Sequence, residues 1–492
     1  MSEIVHDFVK SMTMREKAYF RRSATLHGER PKKNYLLLYD FLEKAPSYNK
    51  KAIQKHFSGT PIGKYLSSEM NYLLEQLLNS AINFHFNNSA HRKLIKLILY
   101  IDLLSEKGFR RKAQKIMVQA KKLAYRFEDF AAILKLIQME EDILFSHGIL
   151  NFTQQLEQLR LEREAISQKI QNANALRLLR EQIRELQFTE GFITDTEKYP
   201  IIYDNPLLES KEQALSLTAK ANWYYIQGLK HYLIRQFKSS QLANRDHLNF
   251  FETHPKLFKP AQMLPALSNY IFLSALVRDE KSFREGLQKL KTLEGNPDLD
   301  QNYIKYIYYA RQFEWHYQHT NIRETQRLLT EVGDFFLSAY QKLGNAEVDY
   351  LVRLLSRASL LCQDWSKGLD WVRFWYQIKK SNHGMQVIHH FSLIIYYELG
   401  YWELLESQIH ASYKGLKKHS KFNTLEKCLL SFFKKIPVYK NAPDTELKYL
   451  RFLEEKLLII RDDTRENEIF EFFCFHEWCR GRQWRVALKM QL

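Results

Sequence analysis

Apolar residues along this chain recur mostly at spacings of three and four, which is the period of an amphipathic helix rather than of a strand. Between residues 34 and 45, for example, Tyr35, Leu38, Tyr39 and Leu42 fall on one face of a predicted helix. The 492 residues include 16 Gly and 11 Pro, too few for the many turns of a sandwich or barrel. We therefore predict an all-α fold.

From His91 onward the pattern becomes one of helix pairs separated by single glycines. Gly108 stands at the first such turn, and the small residues Ala113 and Ala120 allow two helices to approach closely. This spacing resembles that of a tetratricopeptide repeat. Less complete matches occur at Gly228 with Ser240, at Trp365 with Gly368, and at Gly400 with Trp402. The pattern predicts a tetratricopeptide-like helical-repeat array, an α-solenoid, and the alternative is a set of merely antiparallel helices.

A long polar segment at residues 152–186 carries apolar residues at the spacing of a coiled-coil seam, which Arg163 interrupts. The seam consists of Leu156, Leu159, Ile166, Ile170, Ala173, Leu176, Leu179, Ile183 and Leu186. Two interpretations remain open. The segment forms a homodimer through this seam, or it is a long helix that packs on its own chain.

The predicted organisation is two lobes joined by this long helix or coiled coil. The segments are an N-terminal helical domain at 1–90, repeat-like helix pairs at 91–150, the long helix at 151–192, a linker at 193–210 and a C-terminal helical-repeat lobe at 211–492. Periodicity is lost around Pro200 and Pro206, so the linker is the predicted domain boundary.

Common catalytic motifs do not occur in the sequence, including the phosphate-binding GxxxxGK[ST] and GxGxxG and the catalytic HExxH and GxSxG. Cys474, His476 and Cys479 resemble a metal-ligand cluster, but a helix places residues 474 and 476 roughly 200° apart. His389 and His390 are adjacent and therefore point to different sides of a helix. We predict a non-catalytic protein without a cofactor or a metal site.

The net charge of +17 permits binding to nucleic acid, although solvated basic residues give the same composition. A speculative basic contact surface comprises Arg21, Arg22, Lys32, Lys33, Arg110, Arg111, Lys112 and Lys115. Near the C-terminus, Arg480, Arg482 and Arg485 accompany Trp484, a combination that can hold phosphates and stack on bases. These residues make an RNA- or ribosome-associated protein the alternative function.

The predicted helices at 34–45, 50–57 and 65–85 also suit a helix-turn-helix trio, as in a peptide-sensing transcription regulator. The would-be recognition helix offers a single basic residue, Lys64, in its first turns, which argues against base readout. The N-terminus has no apolar signal region, and no uncharged apolar run approaches the ~20 residues of a membrane span. We expect a cytoplasmic protein that does not associate with a membrane.

The N-terminal run Phe8 to Phe20, FVKSMTMREKAYF, resembles the opening of an uncharacterised family of bacterial cytoplasmic proteins. In that family a similar start precedes an Asn-Tyr-hydrophobic helix, here Asn34-Tyr35-Leu36, and tetratricopeptide-like helices follow. The likeness is clearest over about residues 4 to 150 and implies a helical fold and a cytoplasmic location. The repeat pattern, the surplus of aromatic residues that could line a groove (32 Phe and 28 Tyr) and the absence of common catalytic motifs lead us to expect a scaffold or adaptor that binds a protein or peptide partner through a helical-repeat surface.

Overall fold

The structure of the chain is a computed structural model. It describes residues 2–25, 33–86, 90–145, 152–189, 192–193, 195–297, 299–319, 321–378, 385–419, 424–439, 441–462, 473 and 475–491. Within these ranges the secondary structure is helical, joined by turns and loops, and no strand occurs. The prediction of an all-α fold is confirmed. The described chain divides into two compact units, unit 1 up to Gln168 and unit 2 from Lys169 onward.

Unit 1 begins with a bundle of six helices. The helices of the bundle are α1 (Ser2–Ser11), α2 (Met14–Thr25), α3 (Asn34–Lys44), α4 (Lys50–His56), α5 (Pro61–Lys64) and α6 (Leu66–His85). The rest of unit 1 consists of α7 (Ala90–Glu106), α8 (Arg110–Arg126), α9 (Phe130–Phe145) and the first part of α10 (Phe152–Thr189). Helices α2 and α3 pack on α6, and the apolar face predicted for α3, from Tyr35 to Leu42, is buried in this bundle.

Local chemistry explains where helix α2 begins. The backbone N–H of Thr13 donates to Oε2 of Glu16 at 2.7 Å, and the backbone N–H of Glu16 donates to Oγ1 of Thr13 at 3.3 Å. This reciprocal pair satisfies amides that a helix start leaves without intrahelical partners. This arrangement is a capping box, and it fixes the start of α2.

Helices α7 and α8 form a close pair, with α9 packed on α8. Gly108 adopts a φ of 78° between α7 and α8, and the backbone N–H of Phe109 returns to the carbonyl of Leu104 at 2.8 Å. This left-handed turn favours glycine because a side chain there meets its own backbone. Ala113 and Ala120 are fully buried in α8, as their small size predicts.

Five of the nine residues in the apolar seam of helix α10 are buried within a single chain, and the other four are partly exposed. Leu159, Ile166, Leu176, Leu179 and Ile183 are each at most 6% exposed. Arg163, which interrupts the seam, forms an ion pair with Glu141 of α9. This burial favours the interpretation of a long helix that packs on its own chain.

Unit 2 contains fifteen further α-helices in its described residues. They are α11 (Pro200–Tyr203), α12 (Leu217–Leu233), α13 (Phe237–Thr253), α14 (Pro260–Leu276), α15 (Glu280–Thr292), α16 (Gln301–Gln318), α17 (Ile322–Ala339), α18 (Asn345–Leu361), α19 (Trp365–Ile378), α20 (Met385–Leu399), α21 (Trp402–His419), α22 (Thr424–Phe433), α23 (Ile436–Tyr439), α24 (Pro443–Asp462) and α25 (Phe475–Gln491).

The segment predicted as a linker, residues 193–210, differs from the prediction. It contains α11 and the short 3-10 helices Thr196–Lys198 and Pro206–Leu208, and Ile202 and Leu208 are buried in one cluster with Leu176 and Ile183 of α10. Its prolines lie at the first turns of short helices, where no backbone N–H is required. The boundary between the two units lies instead within α10, after Gln168.

Each helix from α12 to α21 packs on the next in the chain. In addition α14 contacts α16, α16 contacts α18, and α18 contacts α20. The even-numbered helices from α14 to α20 therefore also pack on one another. Helix α18 is buried nearly all round after its first turn, and the side chains of α16 are mostly buried or partly buried, whereas α15 and α17 have one polar, exposed face. The largest core of unit 2 extends from α16 to α25.

Candidate binding surfaces

The first group of predicted basic residues lies around helices α2 and α3 of unit 1. Arg21 is engaged within the chain, since it pairs with Asp40 at 3.1 Å and with Glu43 at 2.5 Å. Arg22 is exposed. Lys33 is partly buried and donates to the carbonyl of Ala24 at 3.3 Å. Lys32 lies outside the described residues. This group therefore presents less unpaired positive charge than its sequence indicates.

An open surface cavity of about 410 Å³ lies beside Lys33. Its walls are Lys33, Asn34, Tyr35, Ser68, Glu69 and Tyr72. The side chain of Asn34 donates to Oε1 of Glu69 at 3.2 Å, and the rings of Tyr35 and Tyr72 meet edge to face. With one ammonium group and one carboxylate in its wall, the cavity is not specific for either sign of charge.

The second group of predicted basic residues opens helix α8. Arg111, Lys112 and Lys115 are exposed, and Arg110 is partly buried. Lys122 and Arg126 continue the exposed row at helical spacing toward the end of α8. We call Arg111, Lys115, Lys122 and Arg126 the α8 basic face. No acidic residue occurs in α8, so this face carries positive charge along the whole helix.

The arginines near the C-terminus are engaged inside unit 2. Arg482 of α25 pairs with Glu398 at 3.0 Å and with Glu446 at 2.9 Å. Arg485 pairs with Glu398 at 2.6 Å. Arg480 pairs with Glu454 at 2.8 Å. These guanidinium groups attach α25 to α20 and α24.

A polar network that the sequence interpretation missed lies between α16 and α18. We call it the tyrosine–arginine stripe. Its members are Tyr303, Tyr306, Arg311, Glu314 and Tyr317 of α16 together with Tyr350, Arg353 and Arg357 of α18. Three of them, Arg311, Glu314 and Arg357, are at most 8% exposed, while the tyrosines and Arg353 are partly exposed.

Ion pairs hold the buried layer of the stripe in place. Nη1 of Arg311 donates to Oε2 of Glu314 at 2.8 Å, and the hydroxyl of Tyr350 donates to the other oxygen of Glu314. Burial raises the pKa of Glu314. On α18, Arg353 lies 3.1 Å from Asp349, whose other oxygen accepts from the indole of Trp375 at 2.7 Å.

Aromatic rings stack over and beside these charges. The guanidinium of Arg353 lies 5.4 Å from the ring centre of Tyr350, and that of Arg357 lies 4.0 Å from Tyr317. Tyr303 and Tyr306 stack on each other with centroids 5.7 Å apart. These contacts restrict the motion of the rings, and a side chain that is already restricted loses less entropy when it binds another molecule. Tyrosine and arginine in such fixed positions are the residue types that dominate protein recognition.

The two adjacent histidines of α20 lie in different surroundings, as their spacing predicts. His389 contacts the hydroxyl of Tyr376 at 2.8 Å and the amide of Gln408 at 2.7 Å. His390 is fully buried against the ring of Phe475, and burial lowers its pKa to about 3. Cys474 lies outside the described residues. Within the part that is described, no three His, Cys, Asp or Glu side chains are grouped to hold a metal ion.

The spacing of residues in α16 is the sequence signal that indicates the tyrosine–arginine stripe. Tyr303, Tyr306, Arg311 and Glu314 recur along one apolar helix at spacings of three to five, and charged residues within such a helix need partners. Other aromatic rings pack one helix against another in the core, as Trp371 does against Phe336. The partners of these side chains lie partly on a second helix, α18, so the sequence of α16 alone does not identify them.

No protein-family model, curated protein sequence or solved structure matches this chain. Among the described helices, none is both long enough and apolar enough to cross a membrane.

Proposed function

We propose that this chain is a non-catalytic scaffold or adaptor whose helices form a tetratricopeptide-like repeat array and bind a peptide segment of another protein. The order of contacts in unit 2 supports the array, because α14, α16, α18 and α20 each meet the helix two positions along the chain. Antiparallel helices without a repeat have no need of this second, regular set of contacts.

Recurring turns support the same arrangement. Between α12 and α13, α14 and α15, α18 and α19, and α20 and α21, one residue adopts a left-handed φ; these residues are Arg235, Arg278, Gln363 and Gly400. In each turn the next backbone N–H returns to the carbonyl five positions earlier at 2.9 Å. The same turn closes each of these four pairs with arginine, glutamine or glycine at its left-handed position, as expected for repeats that have diverged in sequence.

Small residues stand where paired helices approach most closely. A Cβ on Gly228 would lie 2.5 Å from Nδ2 of Asn244, and the hydroxyl of Ser240 donates to the carbonyl of Gly228 at 2.7 Å. A Cβ on Gly368 would lie 3.2 Å from Cδ1 of Ile395. These are the positions at which the repeat pattern requires a small side chain.

The observation that carries the binding proposal is the tyrosine–arginine stripe. It lies on the helices that the array would stack at its centre, and it combines partly exposed rings with a buried, paired layer of charge. Tyr303 is the most informative residue to change, because its ring is partly exposed and stacks on Tyr306 within the stripe. A peptide that occupies the stripe would cover this ring.

A peptide-display selection against the purified full chain tests the proposal. Enriched peptides are synthesised with a fluorophore, and their affinity is measured by fluorescence anisotropy for the wild type, Tyr303→Ala and Tyr308→Ala. Tyr308 serves as the matched control because it lies on the same helix against Lys291, outside the stripe. We expect Tyr303→Ala to weaken binding at least about tenfold, as for a recognition hot spot. Absence of enriched peptides, or equal affinity of both variants, would contradict the proposal.

The exposed cations of helix α8, which are the α8 basic face together with Lys112, favour RNA binding as the second candidate function. Five exposed cations without an acidic residue in the same helix would attract a phosphate backbone. The cations are Arg111, Lys112, Lys115, Lys122 and Arg126. An RNA held there would lose affinity steeply with added salt because binding releases counterions.

Anisotropy of a labelled single-stranded RNA over a salt series distinguishes this second function from the first. The triple variant Arg111→Gln, Lys115→Gln, Lys122→Gln removes three charges from α8, and Lys281→Gln, Lys289→Gln, Lys291→Gln removes three from α15 as a control. The α8 variant should bind more weakly and with a shallower salt dependence, whereas the control should resemble the wild type. Equal weakening would indicate attraction by net charge alone.

The other sequence-based hypotheses stay predictions. They are the cytoplasmic location, the bacterial family that the N-terminal run resembles, the homodimer through residues 152–186 and the peptide-sensing transcription regulator.

A further inference from the structure

Helix α7 of unit 1 presents an exposed apolar face. Ile95, Leu99 and Leu103 are 41%, 56% and 54% exposed, and their spacing of four places them in one row along the helix. The opposite side of α7 is already used, since Leu94 and Ile101 are at most 2% exposed. A helix that is apolar on both sides is normally covered on both sides. The outer row of α7 is thus a surface without a covering element among the described residues.

The charges of α7 are arranged against its own dipole. Arg92, Lys93 and Lys96 lie in its first half, and Asp102 and Glu106 lie in its second half. Its first turn contains no acidic residue and its last turn no basic one. A helix dipole favours the reverse arrangement, by about 0.3–1 kcal/mol for each terminal charge. The observed order therefore costs the isolated helix stability, which an external partner of opposite arrangement would restore.

In α7, positions at equal distances on either side of Leu99 mostly carry either two apolar residues or two residues of opposite charge. Counting outward from Leu99, Ile95 corresponds to Leu103, each four positions away. Lys96 corresponds to Asp102, three positions away on either side. Arg92 and Glu106 correspond in the same way, seven positions away. The helix is therefore complementary to its own antiparallel copy.

We propose that the outer row of α7 is a self-association surface on which a second copy of this chain packs its own α7 in the antiparallel direction. A two-fold axis at Leu99 then sets each isoleucine or leucine of the row against an apolar residue of the second copy. It also sets Lys96 against Asp102 of the second copy. A parallel pair would instead oppose like charges. Because the surface meets itself, the assembly closes at a dimer rather than growing into a filament.

The chemistry of the row specifies a second copy rather than an unrelated helix. The match in position and sign of charge arises from this sequence alone. Most of the α10 seam, by contrast, is buried within the chain, since Leu159, Ile166, Leu176, Leu179 and Ile183 are each at most 6% exposed. One face of a single helix covers less than the ~800 Å² per partner of a standard interface, so the dimer should be weak. We expect a dissociation constant in the range of about 1–100 µM.

Sedimentation velocity of the full chain tests the proposal. A concentration series from about 1 to 300 µM covers the expected range of the dissociation constant. The wild type should change from monomer to dimer. Leu99→Asp should remain monomeric, whereas Leu337→Asp, which changes a leucine of α17 that is similarly exposed, should dimerise like the wild type. Leu99 is half exposed, so the variant retains its core, and circular dichroism checks its fold. A monomeric wild type, or a dimer that Leu99→Asp does not weaken, would overturn the inference.

A charge exchange tests the antiparallel geometry itself. Lys96→Glu and Asp102→Lys each place like charges together across the axis and should weaken the dimer about tenfold. The double variant, and an equimolar mixture of the two single variants, should recover it. Failure of both to recover would sink the antiparallel arrangement even if Leu99→Asp abolished association. The peptide affinity at the tyrosine–arginine stripe serves as a separate readout, because α7 lies in the other unit.

Discussion

Gly286 of α15 faces Ile271 of α14 so closely that a Cβ added to the glycine would lie 2.5 Å from Cγ1 of the isoleucine. Ile271 is fully buried and packed, which limits its freedom to move aside. We expect Gly286→Ala to lower the free energy of unfolding by about 1–3 kcal/mol through overpacking. This loss should appear in urea denaturation although alanine favours helix by about 1 kcal/mol.

Gly481 of α25 is the matched control for that substitution. Its added Cβ would lie 3.7 Å from Nη1 of Arg485, an ordinary contact distance. Gly481→Ala should therefore raise the free energy of unfolding by roughly 0.5–1 kcal/mol, because alanine restricts the unfolded chain. If the two alanine variants behaved alike, the close approach of α14 and α15 would be wrong.

Arg278 adopts a φ of 55° in the turn between α14 and α15. This left-handed conformation costs a residue with a side chain roughly 1–2 kcal/mol, and glycine adopts it without that cost. Arg278→Gly should stabilise the protein by up to about 1 kcal/mol, since the gain is reduced by the greater freedom of the unfolded chain. Differential scanning calorimetry would register a higher melting temperature.

The same exchange in a helix should have the opposite sign. Arg245→Gly changes an exposed arginine within α13, where glycine is unfavourable by about 1 kcal/mol. A decrease in stability in both variants would argue against the left-handed turn at Arg278.

Glu398 of α20 is the anionic centre for three donors. It accepts from Arg482 at 3.0 Å, from Arg485 at 2.6 Å and from the indole of Trp478 at 2.8 Å. Its side chain is 3% exposed. Glu398→Gln leaves two guanidinium groups without this charge and should destabilise unit 2 by about 3 kcal/mol. Glu406→Gln, in an exposed position on α21, should change stability by less than about 1 kcal/mol. Equal effects in urea denaturation would refute the role of Glu398.

His390 makes stability depend on pH. Its ring nitrogens are buried without a hydrogen-bond partner among the described residues, and burial lowers its pKa to about 3. As the pH falls, His390 is therefore protonated near pH 6.5 in the unfolded chain but only near pH 3 in the folded protein. The contribution of neutral His390 to the free energy of unfolding is complete above pH 6.5, and it is lost as the pH decreases from 6.5 to about 3. His247, whose pKa burial also lowers to about 3, contributes in the same direction.

His390→Leu removes one of these two titrations. Relative to its own value at pH 7.5, the variant should lose about 2 kcal/mol less than the wild type on going to pH 5. Urea denaturation at both pH values measures the difference. An unchanged pH dependence would mean that His390 is protonated in the folded protein.

Periodicity alone was enough to predict individual helices and their buried faces. The apolar face of α3, the small residues of α8 and the turn at Gly108 all follow from local spacing, which is fixed by the geometry of one helix. The repeat arrangement and its partner remain proposals, because packing of whole helices depends on contacts between distant segments.

Whether a charged side chain is paired within the chain is harder to predict from sequence than whether an apolar side chain is buried. Arg482 and Arg485 looked like an external basic cluster because their partner, Glu398, lies more than eighty positions earlier in the chain. Likewise, prolines at 200 and 206 suggested a linker, whereas that segment packs on α10 and α12. In both places the deciding interaction is distant in sequence, so no local pattern records it.

The attachment of α25 to α20 also has a consequence for synthesis on the ribosome. Glu398 and Glu446 leave the ribosome before Arg482, because translation proceeds toward the C-terminus. Until α25 emerges, these two carboxylates have no cation from that helix and favour contact with water over burial. The region from α20 to α24 therefore completes its folding late, after α25 has been made, and a nascent chain halted before residue 475 exposes apolar surface that chaperones recognise.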